Sequence, residues 1–275
     1  MTLSTIRNNP AKQKKVKTKK QKAIAATCAV AFWLLVWHVV SLCVGSELVL
    51  VSPVKVVQTL FTVIFDPDFL KTVWYSAARI LGGLFTALTR GTVLGWVASR
   101  FWAVETLLRP ITAVIKATPV ASFIILVLLW FSGKNLSVII SMLMVFPVIY
   151  MNVLEGIRSA DEKLLEMAQV FRLSVGKKLL YIYLPAVAPF FVSACSVSLG
   201  LCWKSGIAAE VIGTPDGSIG AVFYQAKIFL QTSELLAWTV VVVAVSVAFE
   251  KLFMLLLRLI LKKLKMEDVL NGKRA

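Results

Sequence analysis

Six apolar stretches, each long enough or nearly long enough to cross about 30 Å of hydrocarbon as a helix, dominate this 275-residue sequence. Backbone amides find no partner in lipid, and no alternating strand pattern of the barrel kind is present, so each stretch is predicted to be a helix. Hydrophobic residues make up 59% of the chain, which excludes a soluble domain. The predicted fold class is an all-α membrane protein with six transmembrane helices at residues 23–44, 74–98, 111–131, 136–154, 179–203 and 235–261.

The net charge of +16 is distributed unevenly along the chain. Basic residues concentrate in segments 1–22, 99–109, 155–178 and the end of the chain, whereas the intervening loops hold few. With six spans, all the basic segments fall on one side, which the positive-inside rule assigns to the cytoplasm. We therefore predict a multi-pass protein of the bacterial cell membrane with both termini cytoplasmic. The basic tails suit anionic lipid headgroups rather than nucleic acid.

The domain organisation predicted is a disordered basic tail over 1–22, a transmembrane domain over 23–262 and a second tail over 263–275. The first apolar run, of about 22 residues, is too long for a signal-peptide core and lacks a small-residue cleavage site, so it is predicted to be retained. The four cysteines have no metal-ligand spacing and are interpreted as small core residues. His38 is interpreted as bundle-facing or interfacial.

Several features predict packing rather than chemistry. Glycines repeat at short intervals over 82–95, which favours close helix contact. Prolines lie inside three of the later spans and predict kinks, which membranes tolerate where protein or a water-filled cavity receives the freed carbonyls. Residues 53–64 are predicted to form a short helix on the outer surface. These kinked spans favour a transport pathway over a passive anchor.

A charged amphipathic helix is predicted between the fourth and fifth spans, where a simple membrane protein needs only a turn. Ser159 and Glu162 have the S-x-x-E spacing of a capping box, so the helix is predicted to begin near Ala160. Leu164, Ala168 and Phe171 recur at i, i+4 and i+7 and predict one apolar face. That face requires a cover, whether lipid, the rest of the chain or a partner.

This segment resembles the EAA loop of permease subunits of ATP-binding-cassette (ABC) importers. Glu166-Met167-Ala168 is followed at the family's offsets by Ile182, Leu184 and Pro185. Two positions depart from the pattern: Met167 replaces an alanine, and Arg172 replaces a glycine that would end the helix in a left-handed conformation. Gly176 is predicted to end the helix instead.

The resemblance extends over about residues 52–257 and includes Ser52-Pro53, Trp203 with Glu210, and Ser218-Ile219-Gly220. Within the family, the chain is similar to the nitrate, sulfonate, taurine and bicarbonate type. The resemblance implies a type I ABC-importer permease (MetI-like) fold with a cytoplasmic coupling helix in loop 155–178, a homodimer, two ATPase subunits and an extracytoplasmic solute-binding protein. The residues it implicates in ATPase coupling are Ser159, Glu162, Leu164, Leu165, Glu166, Ala168, Phe171, Arg172, Gly176 and Pro185.

Charged residues within the spans, or near the outer end of the fifth, are candidates for a solute path. An arginine at the bilayer centre costs about 3 kcal/mol, so Arg90 is expected to face the bundle interior or water. The functional interpretation is a path that attracts an anion and involves Arg90, Lys116, Trp203, Lys204 and Glu210. The alternatives are internal pairing or snorkelling of the charges, with Arg90 bonded to a carbonyl at a kink, and a belt position for Trp203.

No Walker A sequence, H-E-x-x-H motif or catalytic constellation occurs in the chain. We therefore predict a transport subunit that is not itself an enzyme, holds no cofactor or metal, and relies on a partner that hydrolyses ATP. The solute is predicted to be small and anionic or sulfonate-like, with a thiamine precursor or another small organic molecule as the alternative. A membrane enzyme or an ATP-independent channel is the competing class. An enzyme should show a catalytic set within its spans, and a channel needs no helix of this kind between spans four and five.

Overall fold

The structure, a computed structural model, describes residues 19–263, with the side chains of residues 24–263. The predicted tails lie almost entirely outside the described residues. Within the described part, a π-helical turn at Leu179–Tyr183 joins α8 to α9. The helices are α1 (Lys19–Val44), α2 (Pro53–Ile64), α3 (Phe69–Arg100), α4 (Trp102–Ala117), α5 (Val120–Leu128), α6 (Gly133–Arg158), α7 (Glu162–Val170), α8 (Val175–Lys178), α9 (Leu184–Gly213), α10 (Ile219–Ile228) and α11 (Thr232–Lys263).

The prediction of an all-helical membrane fold is confirmed. Among the described residues, α1, α3, α6, the run from α8 through α9, and α11 are long and apolar enough to cross a membrane. A sixth crossing results if α4 and α5 count as one broken span. Most of these helices extend beyond the predicted limits, because their end residues are too polar to belong to the apolar runs that hydropathy detects.

Helices α3, α6 and α9 form the core of the bundle. Ile80 and Leu84 of α3, Ile149 of α6 and Leu199 of α9 are almost completely buried there. Glycine permits the close approach at two points: a Cβ on Gly83 would lie 2.7 Å from Ser141 Cβ, and one on Gly206 would lie 2.6 Å from Ile80 Cγ1. The predicted role of small residues in helix contact is therefore confirmed for α3.

The third predicted span is not a continuous helix, and this corrects the prediction of a single kinked crossing over 111–131. Helix α4 ends at Ala117, α5 begins at Val120, and the two are bent by 107°. Pro119 explains the break, because it disfavours helical backbone at the preceding residue, and Thr118 is extended with ψ 134°. Pro147 and Pro189 lie inside α6 and α9 without interrupting either helix.

The loops predicted to share one side of the membrane lie at one end of the bundle. At the end that carries α7, here called the α7 end, Arg158 donates a hydrogen bond to Glu105 at 2.5 Å, and Leu261 of α11 packs against Ala188 of α9. At the opposite end, Thr232 Oγ1 donates to the carbonyl of Leu48 at 2.7 Å. Helix α2 is present as predicted and packs against α11.

Helix α1 packs weakly against the rest of the chain. It begins at Lys19, four residues before the predicted span, and most of its described side chains are exposed. Cys28 and Cys43 are therefore exposed, contrary to the prediction that all cysteines are core residues, whereas Cys195 and Cys202 are buried. The exposed apolar surface of α1 is suited to lipid or to another protein chain.

Candidate functional site

Helix α7 begins with a different cap from the predicted one. It starts at Glu162, and the Asp161 side chain accepts a hydrogen bond from the Lys163 amide at 2.9 Å. Ser159 instead lies at the end of α6, where its hydroxyl donates to the carbonyl of Gly156. The predicted capping box of Ser159 and Glu162 is therefore wrong, because the turn between α6 and α7 uses the two residues after Ser159. Asp161, an N-cap residue of a preferred type, was missed, although its type was a usable signal.

The end of α7 is formed by Arg172 itself, so the predicted substitute Gly176 is wrong. Arg172 adopts a left-handed conformation with φ 46°. Its amide donates to the carbonyl of Gln169 at 3.0 Å, and the Leu173 amide donates to that of Ala168 at 2.9 Å. These two bonds make a Schellman motif, and they compensate for the cost of a left-handed arginine. Gly176 lies within α8 with open space around it.

One side of α7 is anchored to its own chain. Ala168 is completely buried and clusters with Ala160 and Ile182, and Leu165 and Leu173 pack against them. The residues at the motif's fixed spacing, Ala168 and Ile182, therefore contact each other where the chain enters α9. This corrects the prediction that Ala168 lies on the docking surface: any side chain larger than alanine would push α7 away from the bundle.

Another side of α7 is apolar and uncovered in the single chain. Its stripe, here called the α7 stripe, runs at helical spacing from Leu164 through Met167 to Phe171, which is 72% exposed, with Val170 beside it. The carboxylates of Glu162 and Glu166 are exposed on the same helix and have no ion-pair partner among the described side chains. An apolar stripe with flanking acids on a rigidly capped helix is suited to the groove of a partner protein.

The residues between α8 and α9 form a π-helical turn, and Pro185 begins the helix that follows it. The π-helical turn places the Leu184 amide on the carbonyl of Leu179, and Pro185, which has no amide hydrogen, follows in the first turn of α9. Pro185 is half-buried and not part of the α7 stripe. Its role in the structure is to begin the helix against which α7 packs.

The structure separates Arg90 and Lys116. Arg90 of α3 is exposed and its guanidinium donates to the Met142 sulfur at 3.0 Å, whereas Lys116 of α4 is exposed and donates to the Met151 sulfur at 3.5 Å. The two methionines are nine positions apart on α6, about two and a half turns, so they lie on opposite sides of that helix. Internal pairing is not observed among the described residues, and the predicted bond from Arg90 to a kinked carbonyl is wrong.

Lys204 is exposed on α9, on a face that also presents Gly200 and Val197. Gly200, one turn before Lys204, places no side chain beside the lysine. Lys116 lies in the last turn of α4, immediately before the break at Pro119. Non-helical backbone inside a membrane is tolerated where it lines a cavity or is covered by protein, so Lys116 occupies a position suited to a pathway or an interface.

Trp203 and Glu210 lie inside the bundle. Trp203 is 2% exposed and packs in the core of α3, α6 and α9, so the alternative of an interfacial belt residue is wrong. Glu210 is completely buried, and its Oε2 accepts hydrogen bonds from the Ser76 hydroxyl at 2.6 Å and the Gly220 amide at 3.4 Å. The Ile219 amide donates to Ser76 Oγ at 2.9 Å. Glu210 thus joins α3 and α9 to the first turn of α10.

Ser76 was missed in the sequence. A serine in an apolar span is common, and it lies 134 positions from Glu210, so no local pattern connects the two. Gly220 was recognised in the sequence as part of Ser218-Ile219-Gly220, and the structure shows why glycine is needed at this position. A Cβ there would overlap the backbone of Glu210, so only glycine permits α10 to begin against α9.

The fold and the site geometry define a multi-pass membrane protein with a capped, amphipathic helix outside the bundle. Comparison with known families identifies it further. Residues 91–266 match the model of the binding-protein-dependent transport system inner membrane component, which is most of the described chain. The chain belongs to this family, and it is a permease subunit of an ABC importer.

Curated relatives support the same family. The chain is 28% identical over 232 residues to a Bacillus subtilis (strain 168) protein named as an aliphatic sulfonates transport permease, covering 83% of each chain. It is 27% identical over 220 residues to the taurine transport system permease of Escherichia coli (strain K12), covering 78% of this chain and 80% of that one. It is 25% identical over 238 residues to the nitrate import permease of Synechococcus elongatus, covering 75% and 84%.

A solved structure shows the same fold. The chain aligns with a chain of an amino acid ABC transporter crystallised with histidines at a TM-score of 0.51 and 16% identity, covering 70% of this chain and 96% of that one. At this identity the similarity concerns the fold alone. It confirms the predicted ABC-importer permease fold independently of the sequence relatives.

Proposed function

We propose that this chain forms, with a second copy of itself, the membrane pathway by which a small anionic solute is imported, and that separate ATPase subunits drive it through α7. The observation that carries the proposal is the α7 stripe: an exposed apolar surface on a helix that is capped at both ends and packed, through Ala168, against Ile182 in the π-helical turn before α9. A rigidly mounted helix transmits a push from a partner, whereas a loose loop would absorb it.

The α7 end is proposed to be cytoplasmic, together with both termini. The support is the positive-inside rule: segments 99–109 and 155–178, which lie at this end, are rich in basic residues, and so are the sequences that precede α1 and follow α11. A cytoplasmic α7 lies within reach of an ATPase, and the sequence has no nucleotide-binding motif of its own. A solute-binding protein is proposed to deliver the solute at the opposite end, as the family's description of binding-protein-dependent transport supports.

The proposed coupling is tested by Phe171→Ser, with Phe229→Ser as the matched control. Both phenylalanines are highly exposed, at 72% and 69%, but Phe229 lies at the opposite end of the bundle. We expect Phe171→Ser to weaken co-purification of the ATPase by about tenfold or more, because removal of an apolar anchor from an interface costs about 1.4 kcal/mol or more. Equal ATPase retention by both variants would remove α7 as the docking element.

The solute is proposed to be a small anion of the sulfonate or nitrate kind. The relatives named for sulfonates, taurine and nitrate support this class. The exposed cations Arg90, Lys116 and Lys204 support it through charge, because the first two lie in predicted spans, Lys204 follows the end of the fifth, and none forms an ion pair with a described residue. Trp203 and Glu210 are proposed to stabilise the bundle rather than contact the solute.

The proposed path is tested in vesicles that contain the assembled importer. Arg90→Gln and Lys204→Gln should each reduce uptake of the anion while leaving ATPase co-purification unchanged, since both side chains are exposed and far from α7. Lys227→Gln, an exposed cation of α10, is the control and should transport normally. Normal uptake by both path variants would exclude these cations from the pathway.

A further inference from the structure

A charged cavity lies between α9 and α11, apart from the α7 stripe and the proposed path. It has a volume of about 440 Å³ and is lined by Ser196 of α9 and by Glu250, Lys251, Met254, Leu255 and Arg258 of α11. In α11 the fifteen residues 235–249 carry no charge, so the charges of the cavity begin abruptly in the second half of the helix. Lys251 and Arg258 are exposed, and neither has an ion-pair partner among the described residues.

The depth of the cavity follows from helix geometry. About 20 helical residues cross the hydrocarbon, so a crossing that begins near residue 235 ends near residue 255. Lys251 then lies just inside the hydrocarbon on the α7 side, and Arg258 lies at headgroup level. Lysine and arginine at such depths extend their charged ends toward the interface. Both cations are thus directed to the layer where lipid phosphates are found.

We propose that this cavity binds one anionic phospholipid of the leaflet at the α7 end, with its phosphate between Lys251 and Arg258. The two cations lie seven positions apart, two turns along the same face of α11, and the apolar side chains of Met254 and Leu255 lie between them to contact the acyl chains. Basic cavities between membrane helices on the cytoplasmic side recognise lipid headgroups in this way.

The charges of the cavity indicate which lipid it accepts. Two cations and the carboxylate of Glu250 leave a net charge of +1, which matches the single negative charge of one phosphodiester. Glu250 disfavours a more highly charged headgroup and can accept a hydrogen bond from a headgroup hydroxyl. Phosphatidylglycerol has both features, a single phosphodiester charge and hydroxyl groups, and is the probe chosen below.

The test uses the full-length chain purified with the subunits that accompany it. Phosphatidylglycerol is titrated into phosphatidylcholine–detergent micelles, and lipid retained by the protein is measured by native mass spectrometry. Lys251→Gln with Arg258→Gln should weaken retention about 25-fold, about fivefold for each basic side chain. Lys134→Gln with Lys227→Gln removes the same charge at the opposite end and should leave retention unchanged.

Two further measurements separate the lipid from other occupants. Glu250→Gln should strengthen retention, because it removes the negative charge that lines the cavity and keeps an amide oxygen that can accept from a headgroup hydroxyl. Weaker retention together with loss of the dimer would instead assign Glu250 to an ion pair with a second copy and overturn the proposal. Displacement of the lipid by inorganic phosphate in the buffer would show a site for a soluble anion and also overturn it, as would equal loss in the control pair. None of these results depends on transport.

Discussion

Glu210 shows how one side chain can join three helices in a bundle that has few polar contacts. Its carboxyl is completely buried, yet it accepts hydrogen bonds from Ser76 of α3 and from the Gly220 amide in the first turn of α10. The amino terminus of α10 also carries partial positive charge from the helix dipole, which favours an acidic group beside it. The carboxyl therefore fixes the hairpin between α9 and α10 at the end of the bundle opposite α7.

We expect Glu210→Ala to destabilise the protein by about 2 kcal/mol or more, since it leaves the Ser76 hydroxyl and a buried amide without their partner. Glu210→Gln keeps an acceptor oxygen and should cost less. Asp216→Ala, an exposed acid of the same hairpin, is the control and should change stability little. Thermal unfolding in detergent measures all three; equal melting temperatures for Glu210→Ala and Asp216→Ala would contradict this role.

At the scale of the helices, apolar periodicity and length predicted which helices the chain forms. The residues at which they end depend on tertiary contacts. The six spans and the helix between the fourth and fifth were visible because apolar length and an i, i+4, i+7 pattern are local signals. The N-cap of α7 at Asp161 and the left-handed Arg172 that follows its end were not visible, because several residues nearby could serve as caps. Which residues cap α7 depends on the packing of Ala168 against Ile182. The sequence shows the spacing of these two residues but not how they pack.

The break between α4 and α5 shows the same limit. Pro119 predicted a disturbance of the third span. A proline within a helix can either kink it or end it, and the sequence does not show which. Pro147 and Pro189 are accommodated inside their helices, whereas Pro119 follows an extended Thr118 and ends α4. Exposure of α4 does not explain the difference, because the exposed Pro110 lies inside the same helix without ending it.

The packing of α3 against α6 yields a prediction with an internal control. A methyl group on Gly83 would lie 2.7 Å from Ser141 Cβ, whereas one on the adjacent Gly82 would meet nothing within 4 Å. Gly83→Ala should therefore destabilise the bundle by about 1–3 kcal/mol through overpacking. Gly82→Ala should be neutral or slightly stabilising, because alanine favours a helix over glycine. The same change in stability for both variants would show that α3 and α6 are not in the contact described.

For the whole molecule, function depends on which end faces which side of the membrane. The α7 stripe can act as a coupling surface only if it lies on the side of the membrane where ATP is hydrolysed. The hairpin between α9 and α10 must then face the side of the solute-binding protein. The helices alternate in direction, so the side of the membrane on which the α7 end lies also determines the side on which the opposite end lies. A measurement that compares the two ends in one preparation therefore tests the complete assignment.

Ser174→Cys and Asp216→Cys provide that measurement, since both positions are exposed and they lie at opposite ends of the bundle. They are introduced singly into a chain whose native cysteines are replaced, because Cys28 and Cys43 are exposed and would also react. A membrane-impermeant thiol reagent added to intact cells should label Asp216→Cys and leave Ser174→Cys unlabelled, and inverted vesicles should give the reverse. The labelling pattern then reports orientation without any requirement for transport. Labelling of Ser174→Cys from outside intact cells would place α7 beyond the reach of an ATPase, and the proposed coupling would have to be abandoned even though the fold remained.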